Sequence, residues 1–222
     1  MTFTVLARDR NSGLLGAATA SRSLAAGNAV LAIRPGVGAV ASQAWTNRSL
    51  RGLLLDELAA GTSAPDAVER IPAWDERAEL RQVAALPATG PGAARSGRDV
   101  TEWAGHIVGT DIVVAGNFLS GPDVLPAMIA RLAQIPEIDA ADPERAVLFA
   151  RELVAALTSG ERAGGDARGR QSAAVLVAAV DHTDDLSVDL RVDDHLDPLP
   201  ELTRLVALRG LDLSERISAR TE

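Results

Sequence analysis

The chain contains no cysteine, which excludes disulfides, thiolate zinc sites and a cysteine nucleophile. It contains no lysine either, so all 22 of its basic residues are arginine. That removes Schiff-base chemistry, a serine–lysine dyad and the lysine of a phosphate-binding P-loop. Basic charge is also in deficit: 30 acidic residues leave a formal net charge of −8, which argues against a nucleic-acid partner, since a phosphate backbone needs a basic surface. No long apolar run is present. The Ala173–Val180 segment is far too short to span a bilayer, so no membrane partner is expected. No charged segment followed by an apolar stretch opens the chain, which reads as that of a cytoplasmic protein.

What is present suits a folded enzyme or binding protein. Hydrophobic residues make up 47% of 222, enough for a sizeable core, and residues 1–222 read most simply as one domain. Thr2–Ala7 and Leu14–Ala20 read as strands joined by a turn at Asp9–Gly13. Ala29–Ile33 and Val37–Ser42 read as a second pair, joined by Arg34-Pro35-Gly36. Leu50, Leu53, Leu54 and Leu58 have helical spacing up to Gly61, and Ser63 caps a second short helix reaching Ile71. Leu80–Leu86 reads as a strand, and residues 87–99 as a hairpin or loop. Short strands follow at His106–Gly109 and Ile112–Ala115. Helices are expected over Pro122–Ile135 and from Asp142-Pro143-Glu144 to about Ser159. Gln171–Val180 and Leu186–Val192 are strands, and Leu199, Leu202, Leu205 and Val206 mark a last helix. Beyond Gly210 the amphipathic pattern fades, and 210–222 is expected to fray. Antiparallel hairpins beside helix pairs indicate a layered α+β fold rather than a doubly wound sheet.

The stretch RPGVGAVASQ contains G-x-G-x-x-A at Gly36, Gly38 and Ala41. A dinucleotide fingerprint needs those glycines to open a helix. Here they precede strand-like alternation, so the glycines read as a hairpin turn and no cofactor is implied.

Three stretches are dense in chemistry. GGDARGRQS, Gly164–Ser172, offers close backbone approach, the Asp166 acceptor, the Arg168 and Arg170 guanidinium forks, and Gln171 and Ser172. It reads equally as an anion or carboxylate clamp and as a turn tied by an internal Asp–Arg pair. LRVDDHLDPL places Asp193, Asp194 and His195 together. They could form an acid–base pair, but adjacent ligands with no second histidine make a poor metal site, and no metal is expected. The third comprises ASRSLAAGNAV, VASQAW and the later AGN at Ala115–Asn117. His106 reads as a packed or turn histidine. His182 reads as solvated within an acidic run that offers only a weak cation site.

The start MTFTVLARD, then ATASRSLAAGN, GVGAVASQA, WAGH, GNFLSGPDVLPAM, GGDARGRQSAA and LRVDDHLDPLPEL occur in an order and spacing that resembles the family named domain of unknown function 1028. The resemblance covers roughly residues 1–206. Ser96-Gly97 stands where the family usually has Thr-Gly. The family resembles the N-terminal-nucleophile hydrolases in fold, which implies a four-layer αββα sandwich, two antiparallel sheets flanked by helices.

That resemblance implies a hydrolase cutting a C–N bond in a small amide or peptide-like metabolite. Removal of Met1 would expose Thr2, whose free amine would serve as base for its own hydroxyl. Backbone amides and Asn117 would stabilise the oxyanion, and Asp166, Arg170 and Asp193 would orient substrate. Proteasome-like members of the superfamily use a lysine near the nucleophile, which this chain lacks. Thr4 is a candidate only if three residues are removed. The resemblance also implies a homo-oligomer. Two alternatives use other residues: a non-catalytic binding protein holding a small amide through Ser21, Gln43, Asn117, Asp166, Arg170 and Gln171, and an internal acyl-transfer site of Ser172 with His195 and Asp193 or Asp194. A structural or assembly protein is a third.

Overall fold

The computed structural model describes residues 2–179 and 187–221. The expected strand at Leu186–Val192 therefore begins, within the described residues, at Val188, and His182 with its acidic run lies outside them. Two antiparallel sheets form the centre. The first has six strands: β1 (Thr2–Asp9), β2 (Leu14–Ser21), β7 (Gly105–Val108), β8 (Ile112–Asn117), β9 (Ser172–Ala179) and β10 (Val188–Val192). Their order is β10-β9-β2-β1-β8-β7. The second has β3 (Leu31–Arg34), β4 (Gly38–Ala44), β5 (Arg81–Pro87) and β6 (Ala93–Ser96), in chain order.

Helices α5 (Val124–Leu132), α6 (Arg145–Arg162) and α7 (Pro198–Thr221) cover the outer face of the first sheet. Helices α2 (Ser49–Ala59), α3 (Ala64–Glu69) and α4 (Ile71–Trp74) cover the second. The layers are thus αββα, as expected. Strand alternation explains the division of side chains. On β1, Phe3, Val5 and Ala7 face α5 and α6 with Leu125, Phe149 and Leu153, whereas Leu6 faces the other sheet. Between the sheets the filling is mostly small: Ala17, Ala39, Ala41, Ala84, Ala115 and Ala174, with Leu6, Leu86, Val113 and Leu176. Small facing residues let two sheets approach closely while excluding water.

Two local departures from the sequence reading occur, at α1 and at α7, while the hairpin read at 87–99 is present. The expected strand Ala29–Ile33 is preceded by a short helix α1, Ala26–Val30, and pairs only from Leu31. Tertiary bonds decide this: the Ala25 N–H donates to the Asp193 carbonyl at 2.9 Å, and the Ala26 N–H to Ser172 Oγ at 3.1 Å. The 87–99 segment is a hairpin whose return strand β6 pairs with β5 from Ala93 to Ser96. Helix α7 continues well past Gly210, to Thr221. The glycines at Gly36 and Gly38 form the β3–β4 turn, with Gly36 at φ 70°. No helix among the described residues is long and apolar enough to cross a membrane.

Candidate functional site

At one end the layer between the sheets changes from alanine to amides and hydroxyls. Thr2 lies beside Asn117 of β8, Thr4 opposite Thr19 of β2, Gln43 of β4 opposite Gln82 of β5, and Gln82 opposite Ser96 of β6. Thr2, Thr4, Thr19, Ser21, Gln43, Gln82 and Asn117 are all buried. Polar groups taken out of water must bond to one another, and these do. Thr4 Oγ1 donates to Gln43 Oε1 at 2.6 Å and contacts Thr19 Oγ1 at 2.8 Å. Gln82 Oε1 accepts from Gln43 Nε2 at 2.7 Å and Asn117 Nδ2 at 3.0 Å. Gln82 Nε2 donates to Ser96 Oγ at 2.8 Å and to the Gly116 and Gly105 carbonyls. Ser96 Oγ lies 3.0 Å from His106 Nδ1, so Ser96 extends this network to the edge strand. Burial lowers the His106 pKa from its ordinary value.

Thr2 sits at the mouth of this network. Its Oγ1 is 3.2 Å from Ser21 Oγ. Its carbonyl accepts long hydrogen bonds from Gln43 Nε2 at 3.4 Å and Asn117 Nδ2 at 3.5 Å. Thr4, by contrast, is committed within the network and 1% exposed. A cavity of about 210 Å³ is lined by Phe3, Ala20, Ser21, Glu161, Asp166 and Arg170 among others; Thr2 itself is not in its lining and meets it through Ser21. Burial raises the Glu161 pKa, opposed by the positive charge of Arg170, whose Nε lies 3.1 Å from Glu161 Oε1.

Asp166 occupies a loop whose Gly164, Gly165 and Gly169 all have positive φ. Gly164 is obligatory there, since a Cβ would fall 1.9 Å from Ser120 Oγ. The Asp166 carboxylate accepts from the Arg22 and Arg168 backbone N–H groups at 2.8 and 2.9 Å, and pairs with the Arg168 guanidinium at 3.4 Å. The internal Asp–Arg pair and the wall of the cavity are therefore the same residue. Arg170 bonds Asp197 at 2.7 Å. Gln171 accepts from Arg22 Nη1 at 2.7 Å and donates to Asp194 at 3.0 Å.

The structure thus joins Thr2, Ser21, Gln43 and Asn117 directly, and brings Asp166 and Arg170 to the cavity beside them. Asn117 aims its amide inward at Gln82 and the Thr2 carbonyl, the orientation of a residue that positions Thr2. Other candidates stand close by, Ser172 pairing with Ser21 across β2 and β9, but the Ser172 and His195 side chains are bonded to other groups. Ser172 Oγ donates to the Ser23 carbonyl at 2.6 Å and accepts from Ala26 N–H, tying α1 to β9. His195 Nδ1 accepts from the Asp197 N–H at 2.9 Å. Among the described residues no hydrogen bond joins Ser172 to His195. Asp193 is exposed and meets this region through its backbone carbonyl, which holds Ala25. No group of three or more histidine and carboxylate side chains is placed to hold a metal among the described residues.

The sequence reading missed Gln82, Thr19 and Glu161. A signal for Gln82 existed: in RQVAALP it shares the inward face with Ala84 and Leu86, as Gln43 does with Ala39 and Ala41. A glutamine on an otherwise apolar inward face requires a partner.

Comparison with known proteins shows what the chain is similar to. The model of a family of unknown function, DUF1028, matches residues 2–202. A crystal structure of a DUF1028 protein from Silicibacter pomeroyi is 32% identical, with a TM-score of 0.79, covering 92% of this chain and 87% of that one. Anbu (ancestral beta-subunit) from Yersinia bercovieri aligns over 98% of this chain and 96% of that one, at 13% identity and a TM-score of 0.48. No curated protein matches the sequence.

Proposed function

The chain belongs to the DUF1028 family, and from that premise we propose that it is an amide hydrolase in which Thr2, freed by removal of Met1, is the nucleophile. The observation that carries this reading is the Thr2 hydroxyl: Thr2 opens the first strand, and its Oγ1 points between the sheets and lies 3.2 Å from Ser21 Oγ, Ser21 being a residue that lines a cavity. A free α-amine has a pKa of about 8 and needs no lysine to act as base at neutral pH. The amine takes the proton from Oγ1 as Oγ1 attacks the amide carbonyl carbon. The same proton passes to the leaving nitrogen as the C–N bond breaks, leaving an ester on Thr2. Water, deprotonated by the same amine, then releases the acid. Ser21 would orient Oγ1, Gln43 and Asn117 would hold the Thr2 carbonyl, and the Asp166–Arg170 side of the cavity would take the polar end of a small amide.

A β-lactone tests this, because a nucleophilic hydroxyl opens the ring and keeps the acyl group. One adduct per chain, mapped to Thr2, retained in Thr2→Ser and lost in Thr2→Ala, is expected. Equal labelling of Thr2→Ala, or an adduct mapped to Ser172, would overturn it.

A further inference from the structure

Three of the eight exposed large apolar side chains among the described residues stand at the Thr2 end of the sandwich. Trp45 and Leu24 are each 66% exposed and Phe118 37%. The chain has only three tryptophans and three phenylalanines, so two of its six aromatic rings stand in water here while a third, Phe3, lines the cavity. Each exposed residue follows closely on a partner of Thr2. Leu24 is three residues after Ser21, Trp45 two after Gln43, and Phe118 one after Asn117. Two residues of chain reach at most about 7 Å, so the Trp45 backbone stays beside the cluster.

The backbone is built to hold them there. The non-glycine residues with positive φ among the described residues are Ala25, Ala44 and Phe118, at 51°, 70° and 56°. Each is an exposed apolar residue or the neighbour of one. L-residues avoid this region unless their surroundings impose it, and such strain gathers at ligand sites. The surroundings do impose it. The Trp45 N–H donates to the Leu80 carbonyl at 3.3 Å, and its own carbonyl accepts from Arg81. Arg81 is fixed by the buried Asp75, which also accepts from Asn47 Nδ2 at 2.8 Å. The Phe118 N–H donates to the Thr101 carbonyl at 2.8 Å, and its carbonyl accepts from Ala167. Arg168 lies 5.5 Å over the Phe118 ring. These rings are presented on anchored turns.

The cavity itself holds about 210 Å³, below the roughly 300 Å³ at which ligand pockets usually begin. A substrate of the Thr2 site larger than this cavity must rest in part outside it, and Trp45, Phe118 and Leu24 are exposed apolar residues that follow closely on the partners of Thr2. We infer that Trp45, Phe118 and Leu24 are specificity-determining residues of the Thr2 site, and that its substrates are amides carrying bulky apolar groups beside the scissile bond. This rests on the hydrolase reading above. Rigid, exposed aromatic rings beside a polar cleft gain most from burying such groups.

Binding in a Thr2→Ala background separates recognition from turnover. N-acetyl-Phe-Phe-amide and N-acetyl-Gly-Gly-amide are titrated by calorimetry. Expected is at least tenfold tighter binding of the phenylalanine compound. Trp45→Ala should remove most of that preference and Trp45→Phe should keep it. Equal binding of the two amides, binding of neither, or a preference untouched by Trp45→Ala would overturn the inference. So would conversion of a dimer to a monomer by Trp45→Ala in sedimentation, which would make a second copy the occupant. A rim-dependent preference with no turnover by the unmutated protein would keep the rim as the binding surface and sink the hydrolase reading; turnover without rim dependence would keep the hydrolase reading and sink the rim's role.

Discussion

Ser172 shows how one residue type supports two readings until its neighbours are known. In sequence it is a serine among Asp, Arg and Gln, a plausible nucleophile. In the fold its hydroxyl is consumed by the Ser23 carbonyl and the Ala26 N–H. Ser172→Ala should therefore lower stability by about 1–2 kcal/mol, the cost of leaving a buried N–H unpaired. It should leave lactone labelling of Thr2 unchanged. Urea denaturation and mass spectrometry check the two halves; loss of labelling in a folded variant would restore Ser172 as a catalytic candidate. Thr2, Ser21, Gln43 and Asn117 are singled out in the sequence because they stand in the stretches MTFTVLARD, ATASRSLAAGN, GVGAVASQA and GNFLSGPDVLPAM that carry the family resemblance. Gln82 was not singled out, since its importance lies in bridging residues from both sheets.

Among the elements, β1 and β2 were the easiest to read, because alternation and the Asp9–Gly13 turn agree. Helix α1 was hidden, since five residues carry too little periodicity and the contacts that fix it come from β9 and the segment after β10. The turn between α4 and β5 is another tertiary construction. Arg81 Nε bonds Asp75 Oδ2 at 2.7 Å, and both side chains are buried. These bonds hold the Asp75 carboxyl far below the ordinary range, against the upward push of burial. A carboxyl whose folded pKa is depressed contributes stability above its unfolded pKa of about 4 and loses it as pH falls further. Asp75→Asn should thus cost about 3 kcal/mol at pH 7, as breaking a buried pair does. It should also lose less stability than the unmutated protein between pH 5 and pH 3. Parallel pH dependences in urea melts would show that Asp75 is not the titrating group.

For the whole molecule, the proposed function turns on a gradient along the inter-sheet layer. One end is alanine and leucine; the other is a closed set of hydroxyls and amides opening at Thr2. Alternation in the sequence predicts two-faced strands and hence the sandwich, but not which strand ends converge. That depends on register across two sheets, which brings together residues as distant as Thr2, Gln43 and Asn117. The exposed apolar rim is likewise invisible in composition, because 3% aromatic content says nothing of where the rings stand.

The central claim is that Thr2 works through its own free amine, and the intact mass of the purified native protein tests it most directly. Loss of one methionine and nothing else is expected, leaving Thr2 with the amine that serves as its base. Retained Met1, or a blocked amine on Thr2, would contradict the mechanism, because the hydroxyl would then have no proton acceptor of its own.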